Sequence, residues 1–204
     1  MRVEPVTLEG THVRLEPATP DHVDGLWHAG RFPELWRYSP FPVYSRDDMA
    51  AQVGAALATA AAGTLFLFAT VDPASGRPIG STSFLNIDPA NRRLEIGGTW
   101  LSPAWQRSAA NTEAKYLQLR HCFETLGCLR VEFKTDLRNI RSRAALARIG
   151  AVEEGTFRRH VVLPDGYLRD SVYFSILDRE WPAVSDRLQA LLAAHPTDST
   201  PDTW

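Results

Sequence analysis

Residues 100–150 read WLSPAWQRSAANTEAKYLQLRHCFETLGCLRVEFKTDLRNIRSRAALARIG and carry the clearest pattern in the chain. A strand ending at Leu101-Ser102-Pro103 leads through a loop into a predicted helix over about 112–126. A second strand at 130–135 leads into another helix at about 139–149. A loop that feeds a helix N-terminus can hold a phosphate with backbone N–H groups. The pattern predicts a phosphate-bearing ligand, and the polar residues after the second strand indicate chemistry beside it.

Strands are also predicted on both sides of this stretch, at 65–71, 79–87, 94–101, 152–162 and 169–176. Short turns join antiparallel neighbours, whereas a helix between two strands implies a right-handed parallel crossover. We therefore expect an α/β chain (α+β, with one mixed sheet). An antiparallel meander is followed by a parallel strand–helix–strand crossover and a C-terminal hairpin. Strands can splay where antiparallel pairing changes to parallel, and ligand sites favour such clefts.

The N-terminal part of the chain predicts a strand at 12–16 and helices at about 19–30 and 45–63. Between these helices lies a segment rich in aromatic and proline residues, 31–44, which cannot form a regular helix. Its rings either fill the core or line the mouth of a pocket, and we expect it to shape a substrate side.

The bulk composition excludes several classes of function. The chain has 204 residues, 44% hydrophobic and 23% charged, and a net charge of −2, which argues against nucleic-acid binding. We expect one domain over 1–194 and a flexible tail over 195–204. No signal peptide and no window of about 18 apolar residues is apparent, so we expect a cytoplasmic protein that is not membrane-bound. Cys122 and Cys128 are expected to be reduced thiols, and no zinc-ligand spacing occurs.

The chain resembles the GNAT acyltransferase superfamily from about Leu8 to Leu177. The resemblance lies in the order of its elements and in the sequence of residues 105–150. The chain is closest to the RimJ/RimL-like branch, named for ribosomal-protein N-terminal acetyltransferases. In that superfamily a loop of pattern Q/R-x-x-G-x-G/A holds the pyrophosphate of acetyl-CoA. Gln106 stands at the first position, Ala109 at the central glycine and Asn111 at the last. Alanine removes the freedom to take a positive φ, but it leaves the N–H donors in place.

The resemblance implies a set of donor-binding residues at a strand end, a loop and two helix starts. They are Trp100, Leu101, Gln106, Arg107, Ser108, Ala109, Ala110, Asn111, Thr112, Asn139 and Arg141. It also implies that Ser142 lies near the sulfur, where its hydroxyl can protonate the departing thiolate or hydrogen-bond to it. From the residues alone, Asn139 is a helix cap and Ser142 a first-turn residue, which is compatible with those roles.

Two carboxylates are candidates for the base that takes a proton from the acceptor amine. Glu95 lies on the strand before the loop, and Glu154 matches a glutamate before glycine that has been proposed as a base in the branch. Each could instead be an exposed strand carboxylate, or be paired with an arginine such as Arg158 or Arg159. Gly97-Gly98 predicts a bulge that would let backbone N–H groups at 98–100 stabilise the thioester oxygen.

The leading expectation is an acetyl-CoA-dependent N-acetyltransferase acting on a primary amine, either a protein N-terminus or a small amine. Transfer would be direct within a ternary complex, because neither cysteine is near the expected thioester. No metal is expected to take part. A homodimer is expected by analogy with the branch. One alternative is a non-catalytic CoA-binding or interaction module, which the altered loop favours. Another is nucleic-acid binding through a run of four arginines: Arg138, Arg141, Arg143 and Arg148. The same arginines could instead attract the 3′-phosphate of CoA or form a solvated helix face.

Overall fold

The computed structural model describes residues 1–195. Its strands are β1 (Leu8–Glu9), β2 (Arg14–Pro17), β3 (Phe66–Val71), β4 (Pro78–Asp88), β5 (Arg93–Leu101), β6 (Arg130–Asp136), β7 (Val152–Val162) and β8 (Leu168–Leu177). Its α-helices are α1 (Val23–Gly30), α2 (Arg46–Ala61), α3 (Ala110–Arg120), α4 (Ile140–Ile149) and α5 (Trp181–Ala193). A π-helical turn, His121–Thr125, extends α3. The predicted tail, beyond His195, lies outside the described residues, and the single domain over 1–194 stays a prediction.

The eight strands form one mixed sheet in the order β1-β2-β3-β4-β5-β6-β8-β7. Neighbours pair antiparallel except β5 and β6, which are parallel and joined by α3. This confirms the predicted meander, crossover and C-terminal hairpin. The parallel pairing covers residues 93–95 of β5, whereas β6 continues along β8 to Asp136. Beyond Glu95 the two central strands therefore separate, as expected at the change of pairing direction.

Apolar side chains fill both faces of the sheet in its first half. The larger core lies under α3 and α5 and includes Leu94, Phe133 and Val172. The smaller core lies under α1 and α2 and includes Leu26, Met49 and Trp36 from segment 31–44. Fully burying one such side chain stabilises the folded state by about 1.5–3 kcal/mol. The two cores therefore hold the central strands in place on both sides of the point where β5 and β6 separate.

In the second half of the sheet, one face is polar because strand residues alternate sides. On β6 and β8 the apolar residues Val131, Phe133, Val172, Phe174 and Ile176 belong to the larger core. The residues between them turn to the opposite face. The register places Glu132 between Glu95 and Ser175, Lys134 beside Tyr173, and Asp136 beside Ser171. Arg169, two residues before Ser171 on β8, lies on the same face beyond the end of the β6 pairing. These residues form the polar face: Glu95, Glu132, Lys134, Asp136, Arg169, Ser171, Tyr173 and Ser175.

Segment 31–44 contains a short 3-10 turn, Pro33–Trp36, and no α-helix, as predicted. The Trp36 indole N–H donates to the carbonyl of Gly30 at 2.8 Å, which anchors a buried ring in the smaller core. Phe41 and Tyr44 are exposed instead. The helix after the segment begins as expected, with Ser45 Oγ accepting from the Asp48 N–H at 3.1 Å. The segment is therefore anchored at Trp36, in its middle, and at the start of α2.

Candidate active site

The gap between β5 and β6 is bordered by a bulge in β5. Ser81 faces Trp100 and Ser83 faces Gly97, so two residues of β5, Gly98 and Thr99, face one residue of β4. Gly98 has a φ of +59°, a left-handed conformation that favours glycine. Both bulge residues are exposed. The predicted bulge is thus present, and it turns backbone groups of β5 towards the place where β6 has moved away.

The loop before α3 differs from the expectation for residue 109. Ala109 has φ −65° and ψ −20°, an ordinary helical conformation that alanine adopts without strain. The positive φ of the loop, +65°, falls on Arg107. Ser108 Oγ accepts from the Ala110 N–H at 3.2 Å and donates to the carbonyl of Trp105 at 2.7 Å. The alanine in place of glycine therefore leaves the loop conformation intact.

The start of α3 offers unoccupied N–H donors. Within residues 1–195, the N–H groups of Arg107, Ser108, Ala109, Asn111 and Thr112 have no hydrogen-bond acceptor. The first N–H groups of any helix lack intrahelical partners, and the helix dipole adds a partial positive charge there. The loop is consequently suited to bind an anionic group.

Two hydrogen bonds join this loop to the neighbouring elements. Gln106 Nε2 donates to the carbonyl of Leu101 at 3.1 Å, and Arg141 Nη2 donates to Gln106 Oε1 at 2.7 Å. Arg148 on α4 reaches Thr112 Oγ1 at 2.9 Å. Four predicted donor-binding residues thus meet at one end of the gap: Leu101, Gln106, Thr112 and Arg141. The guanidinium groups of Arg141 and Arg148 lie beside the free N–H groups.

The remaining arginines of the basic run have other partners. Arg138 pairs with Asp136 at 2.8 Å, and Arg143 pairs with Glu153 at 3.3 Å. The run is therefore neither a single patch nor a uniformly solvated helix face. Its members Arg141 and Arg148 are the ones positioned beside the loop.

Asn139 caps α4, because its Oδ1 accepts from the Ser142 N–H at 3.1 Å. Its own N–H donates to the carbonyl of Asp136 at the end of β6. The Ser142 hydroxyl has no hydrogen-bond partner among residues 1–195 and is partly exposed. The capping interpretation is correct, and the arrangement leaves the serine hydroxyl available to a ligand.

Glu95 is 1% exposed and lies on the polar face beside the gap. Its Oε2 accepts from Asn86 Nδ2 at 2.8 Å and lies 3.1 Å from Lys134 Nζ. A Cβ on Gly97 would lie 2.8 Å from Glu95 Oε1 and from Leu85 Cδ1, so a larger residue there would have to displace one of these side-chain ends. The local chain thus packs tightly around this carboxylate, three residues before the bulge.

Glu154 has a different environment. It lies on the edge strand β7, three strands from β5, which corresponds to about 14 Å between strand axes. Both of its oxygens accept from the Arg130 guanidinium, one of them at 2.6 Å, and Ser175 Oγ donates to it at 2.8 Å. The hydrogen bonds from Arg130 lower the pKa of this carboxyl. The expected alternative of pairing with an arginine is therefore realised, with Arg130 instead of Arg158 or Arg159.

Sequence reasoning missed a buried polar cluster beneath the bulge. Lys115 Nζ donates to Thr99 Oγ1 at 2.7 Å, and to Thr82 Oγ1 and Gln118 Oε1 at 3.3 Å each. Burial lowers the pKa of Lys115 to about 7. The cluster had no signal in the sequence, since α3 is buried on nearly all sides and shows no polar stripe.

A second missed residue is Glu113, which attaches α3 to the N-terminal strands. Its carboxylate accepts from the backbone N–H groups of Thr11, His12 and Val13 at 2.6–2.9 Å. A glutamate in the first helical turn is common because of the dipole, so the sequence did not indicate this long-range role. The helix that carries the loop is consequently fixed at its N-terminus as well as along its core face.

The acetyltransferase (GNAT) domain family matches residues 12–152. The chain belongs to this GNAT acetyltransferase family. A GCN5-related N-acetyltransferase from Brucella melitensis is 34% identical, with a TM-score of 0.87 over 94% of this chain and 87% of that one. This confirms the resemblance and the fold expected from the sequence, and acetyl-CoA is the acetyl donor that GNAT enzymes use.

Two further proteins are similar to this chain. A Bacillus subtilis (strain 168) protein, named ribosomal N-acetyltransferase YdaF, is 36% identical over 106 residues. That match spans 52% of this chain and 57% of YdaF, so the chain matches little more than half the length of this curated relative. Mycobacterium smegmatis RimJ, solved in complex with CoA-disulfide, shares the fold at 24% identity with a TM-score of 0.79. It covers 92% of this chain and 95% of RimJ.

Residues 1–195 contain neither a candidate metal cluster nor a helix suited to span a membrane. This part of the GNAT chain contains no group of three or more His, Cys, Asp or Glu side chains that could hold a metal ion. None of its helices combines the length and the apolar character needed to cross a bilayer.

Proposed function

We propose that this GNAT chain is an acetyl-CoA-dependent N-acetyltransferase that passes the acetyl group directly to a primary amine in a ternary complex. The observation that carries the proposal is the gap beyond Glu95, where β5 and β6 separate. The bulge at Gly98–Thr99 borders its middle, and the loop and α3 N-terminus lie at its end. An elongated thioester with a phosphorylated end matches this order of neutral and anion-binding surfaces.

The donor would be held by residues of this chain already in contact with one another. The free N–H groups from Arg107 to Thr112 would bind the pyrophosphate, and Arg141 and Arg148 would add positive charge. Asn139 would contact the arm that enters the gap. Trp100 and Leu101, at the end of β5, would line its other wall.

On the polar face, Glu95 would accept a proton from the acceptor ammonium, directly or through water. The amine nitrogen then attacks the thioester carbon, and backbone N–H groups of the bulge stabilise the oxygen while it carries negative charge. The new C–N bond forms as the C–S bond breaks. Ser142 donates a hydrogen bond to the departing thiolate, or a proton that it regains from solvent. The nitrogen loses its remaining excess proton to water, because Glu95 already holds the first one.

Direct transfer is supported by the position of the thiols. Cys122 and Cys128 are both buried, on the π-helical turn and just before β6, at the opposite end of that strand from Asn139. Burial raises the pKa of Cys122, which keeps it in the unreactive thiol form. Intact-mass analysis of protein incubated with acetyl-CoA alone should therefore show no acetyl-cysteine, and a stable one would contradict direct transfer.

The acceptor is proposed to be a protein N-terminus or a small amine, in the cytoplasm. The name of YdaF, a ribosomal N-acetyltransferase, favours an amine of a ribosomal protein. A homodimer remains a prediction by analogy, which light scattering on the purified chain would decide. Binding of nucleic acid or membranes is not part of the proposal.

The function is tested by calorimetric titration with acetyl-CoA, followed by a thiol-release assay across peptides and small amines. We expect donor binding and release of CoA that depends on the amine. Ser142→Ala should lower kcat with little change in the donor Kd. Donor binding without turnover on any amine would instead support the alternative, a non-catalytic CoA-binding module. Failure to bind acetyl-CoA would refute both.

A further inference from the structure

Arg169 on β8 is a buried guanidinium without an ion pair. It is 6% exposed, and no carboxylate oxygen among residues 1–195 lies within 4 Å of it. Its Nη1 donates to the carbonyl of Tyr38 at 3.4 Å, the outer limit of a hydrogen bond, and its Nε has no partner. Burial lowers the pKa of this guanidinium. Buried charges are normally paired, so this arginine is an exception that needs an explanation.

The nearest carboxylate that could have paired with it is already engaged. Asp136 accepts from the Arg138 side chain through both of its oxygens, at 3.1 and 2.8 Å. The negative charges of Asp136 and Glu95 still act on Arg169, which offsets part of the cost of its burial. Arg169 therefore keeps hydrogen-bond donors that the folded chain does not satisfy.

Ser171 presents a second unsatisfied donor on the same face. It is two residues from Arg169 on β8, so both side chains point to the polar face. It is fully buried, and its Oγ has no hydrogen-bond partner. Two buried donors without acceptors, on adjacent positions of one face, indicate that an oxygen of another molecule completes the site.

We propose that Arg169 and Ser171 bind an oxygen of the amine acceptor, either a carboxylate or an amide carbonyl. This inference rests on the proposed function, because it places the acceptor amine on the same polar face as Glu95, its proposed base. One strand, β6, separates β8 from β5, a distance of about 10 Å between axes that the arginine side chain partly spans. An amine at the bulge can thus carry its oxygen to Arg169 across a short linker.

The acceptor class follows from this geometry. A plain alkylamine has no oxygen to offer and would leave both donors unsatisfied. An amino acid offers a carboxylate, and a peptide N-terminus offers amide carbonyls. The carboxylate and the amide carbonyl can both accept a hydrogen bond from Arg169, but only the carboxylate is charged. The guanidinium should therefore bind the carboxylate more tightly when both fit equally well.

The test compares four acceptors: L-alanine, L-alaninamide, trialanine and isopropylamine. Each is titrated by calorimetry into the protein with CoA present, and each is assayed for thiol release with acetyl-CoA. We expect the oxygen-bearing acceptors to bind at least about tenfold more tightly than isopropylamine, since one charge-assisted hydrogen bond is worth about that factor. Alanine against alaninamide and trialanine then distinguishes carboxylate from amide recognition.

Variants assign the effect to the two residues. Arg169→Met should abolish the preference over isopropylamine without changing the Kd of acetyl-CoA, and Arg169→Lys should restore part of it. Ser171→Ala should reduce it less. Arg158→Met removes an exposed arginine from the neighbouring strand and serves as the control. Circular dichroism and thermal unfolding check that each variant is folded.

Calorimetry separates this proposal from the function. If the four amines bind equally to the wild type, or if Arg169→Met weakens isopropylamine as much as the others, the proposed site is refuted. If oxygen-bearing acceptors bind through Arg169 but no CoA is released, the site stands and the transferase function fails.

Discussion

At the scale of single residues, the two candidate bases differ in what their oxygens already bind. Glu154 is held by Arg130 and Ser175, while Glu95 lies beside the gap with Asn86 and Lys134 as partners. Glu95→Gln should lower kcat by about 100-fold or more, the usual contribution of a general base. Glu154→Gln is the matched control and should change kcat by less than about twofold. Thiol release at saturating acetyl-CoA and amine measures both.

The opposite result would assign the base to Glu154. The control variant should be less stable than the wild type at neutral pH, and this difference should vanish in acid. Because Arg130 lowers the pKa of Glu154, its contribution to stability is present above about pH 4.5 and is lost as the pH falls through the lowered value. Its side chain is 38% exposed, so the contribution at neutral pH should be below about 1 kcal/mol.

Lys115 allows a prediction about stability and pH. Its pKa is lowered from 10.5 to about 7 by burial. Between these values the unfolded chain binds up to one more proton than the folded chain, so the free energy of unfolding rises with pH, by up to about 1.4 kcal/mol per pH unit. Cys122 is the other titratable group that acts on Lys115, and ionisation of its thiol in the unfolded chain opposes the trend near pH 9.

Urea unfolding at pH 7.0 and 8.5 measures this effect. The wild type should gain stability over that interval relative to Lys115→Met, in which the ionisable group is absent. Parallel curves for the two proteins would show that the lysine stays protonated in its hydroxyl cluster.

At the scale of elements, the loop that leads into α3, called here the donor loop (residues 105–109), tolerates its unusual sequence. Because Ala109 is already helical, Ala109→Gly should leave the Kd of acetyl-CoA unchanged and lower the free energy of unfolding by up to about 1 kcal/mol. Arg107→Gly should raise that free energy by about 1 kcal/mol, since it relieves the positive φ of +65°. Calorimetry and urea unfolding measure both. Donor binding that tightened tenfold in Ala109→Gly would show that the glycine of the usual motif matters for the ligand.

Most elements could be predicted from local patterns in the sequence. Ser45 and Asn139 cap their helices where polar residues precede apolar repeats, and Gly98 marks the bulge that paired glycines indicate. Strand β1 has two residues, too few for a periodic signal. The turn that follows it is held by the Glu113 carboxylate from about 100 positions away. Contacts of that kind have no trace in a local window, which is also why the Lys115 cluster escaped notice.

At the scale of the whole molecule, the sequence predicted the gap but not what lies opposite it. Alternation on β6 and β8 was visible, yet the polar residues could have faced solvent. Only the sheet order, with β8 between β6 and β7, brings Arg169, Ser171 and Asp136 together with Glu95 on one face. Which residues share this face therefore depends on the strand order, whereas the alternation of polar and apolar residues within each strand could be predicted from the sequence.

Segment 31–44 closes over one end of this polar face through aromatic and charged contacts. The Arg138 guanidinium carbon lies 3.4 Å from the ring centroid of Tyr167 in the hairpin and 5.5 Å from that of Tyr38 in the segment. Asp136 fixes Arg138 at the end of β6. One arginine thus joins the segment, the central strand and the β7–β8 hairpin, three parts distant in sequence.

Removing the Tyr38 ring should loosen this junction while leaving the donor loop untouched. A cation–π contact is worth about 0.5–2 kcal/mol, so Tyr38→Ala should raise the KM for the amine several-fold and leave the Kd of acetyl-CoA unchanged. Hydrogen exchange should increase across 31–44. Tyr44→Ala, in the same segment but 65% exposed, is the control and should change neither quantity. If Tyr38→Ala altered donor binding and left the amine KM constant, the segment would belong to the donor side of the site and not to the acceptor side.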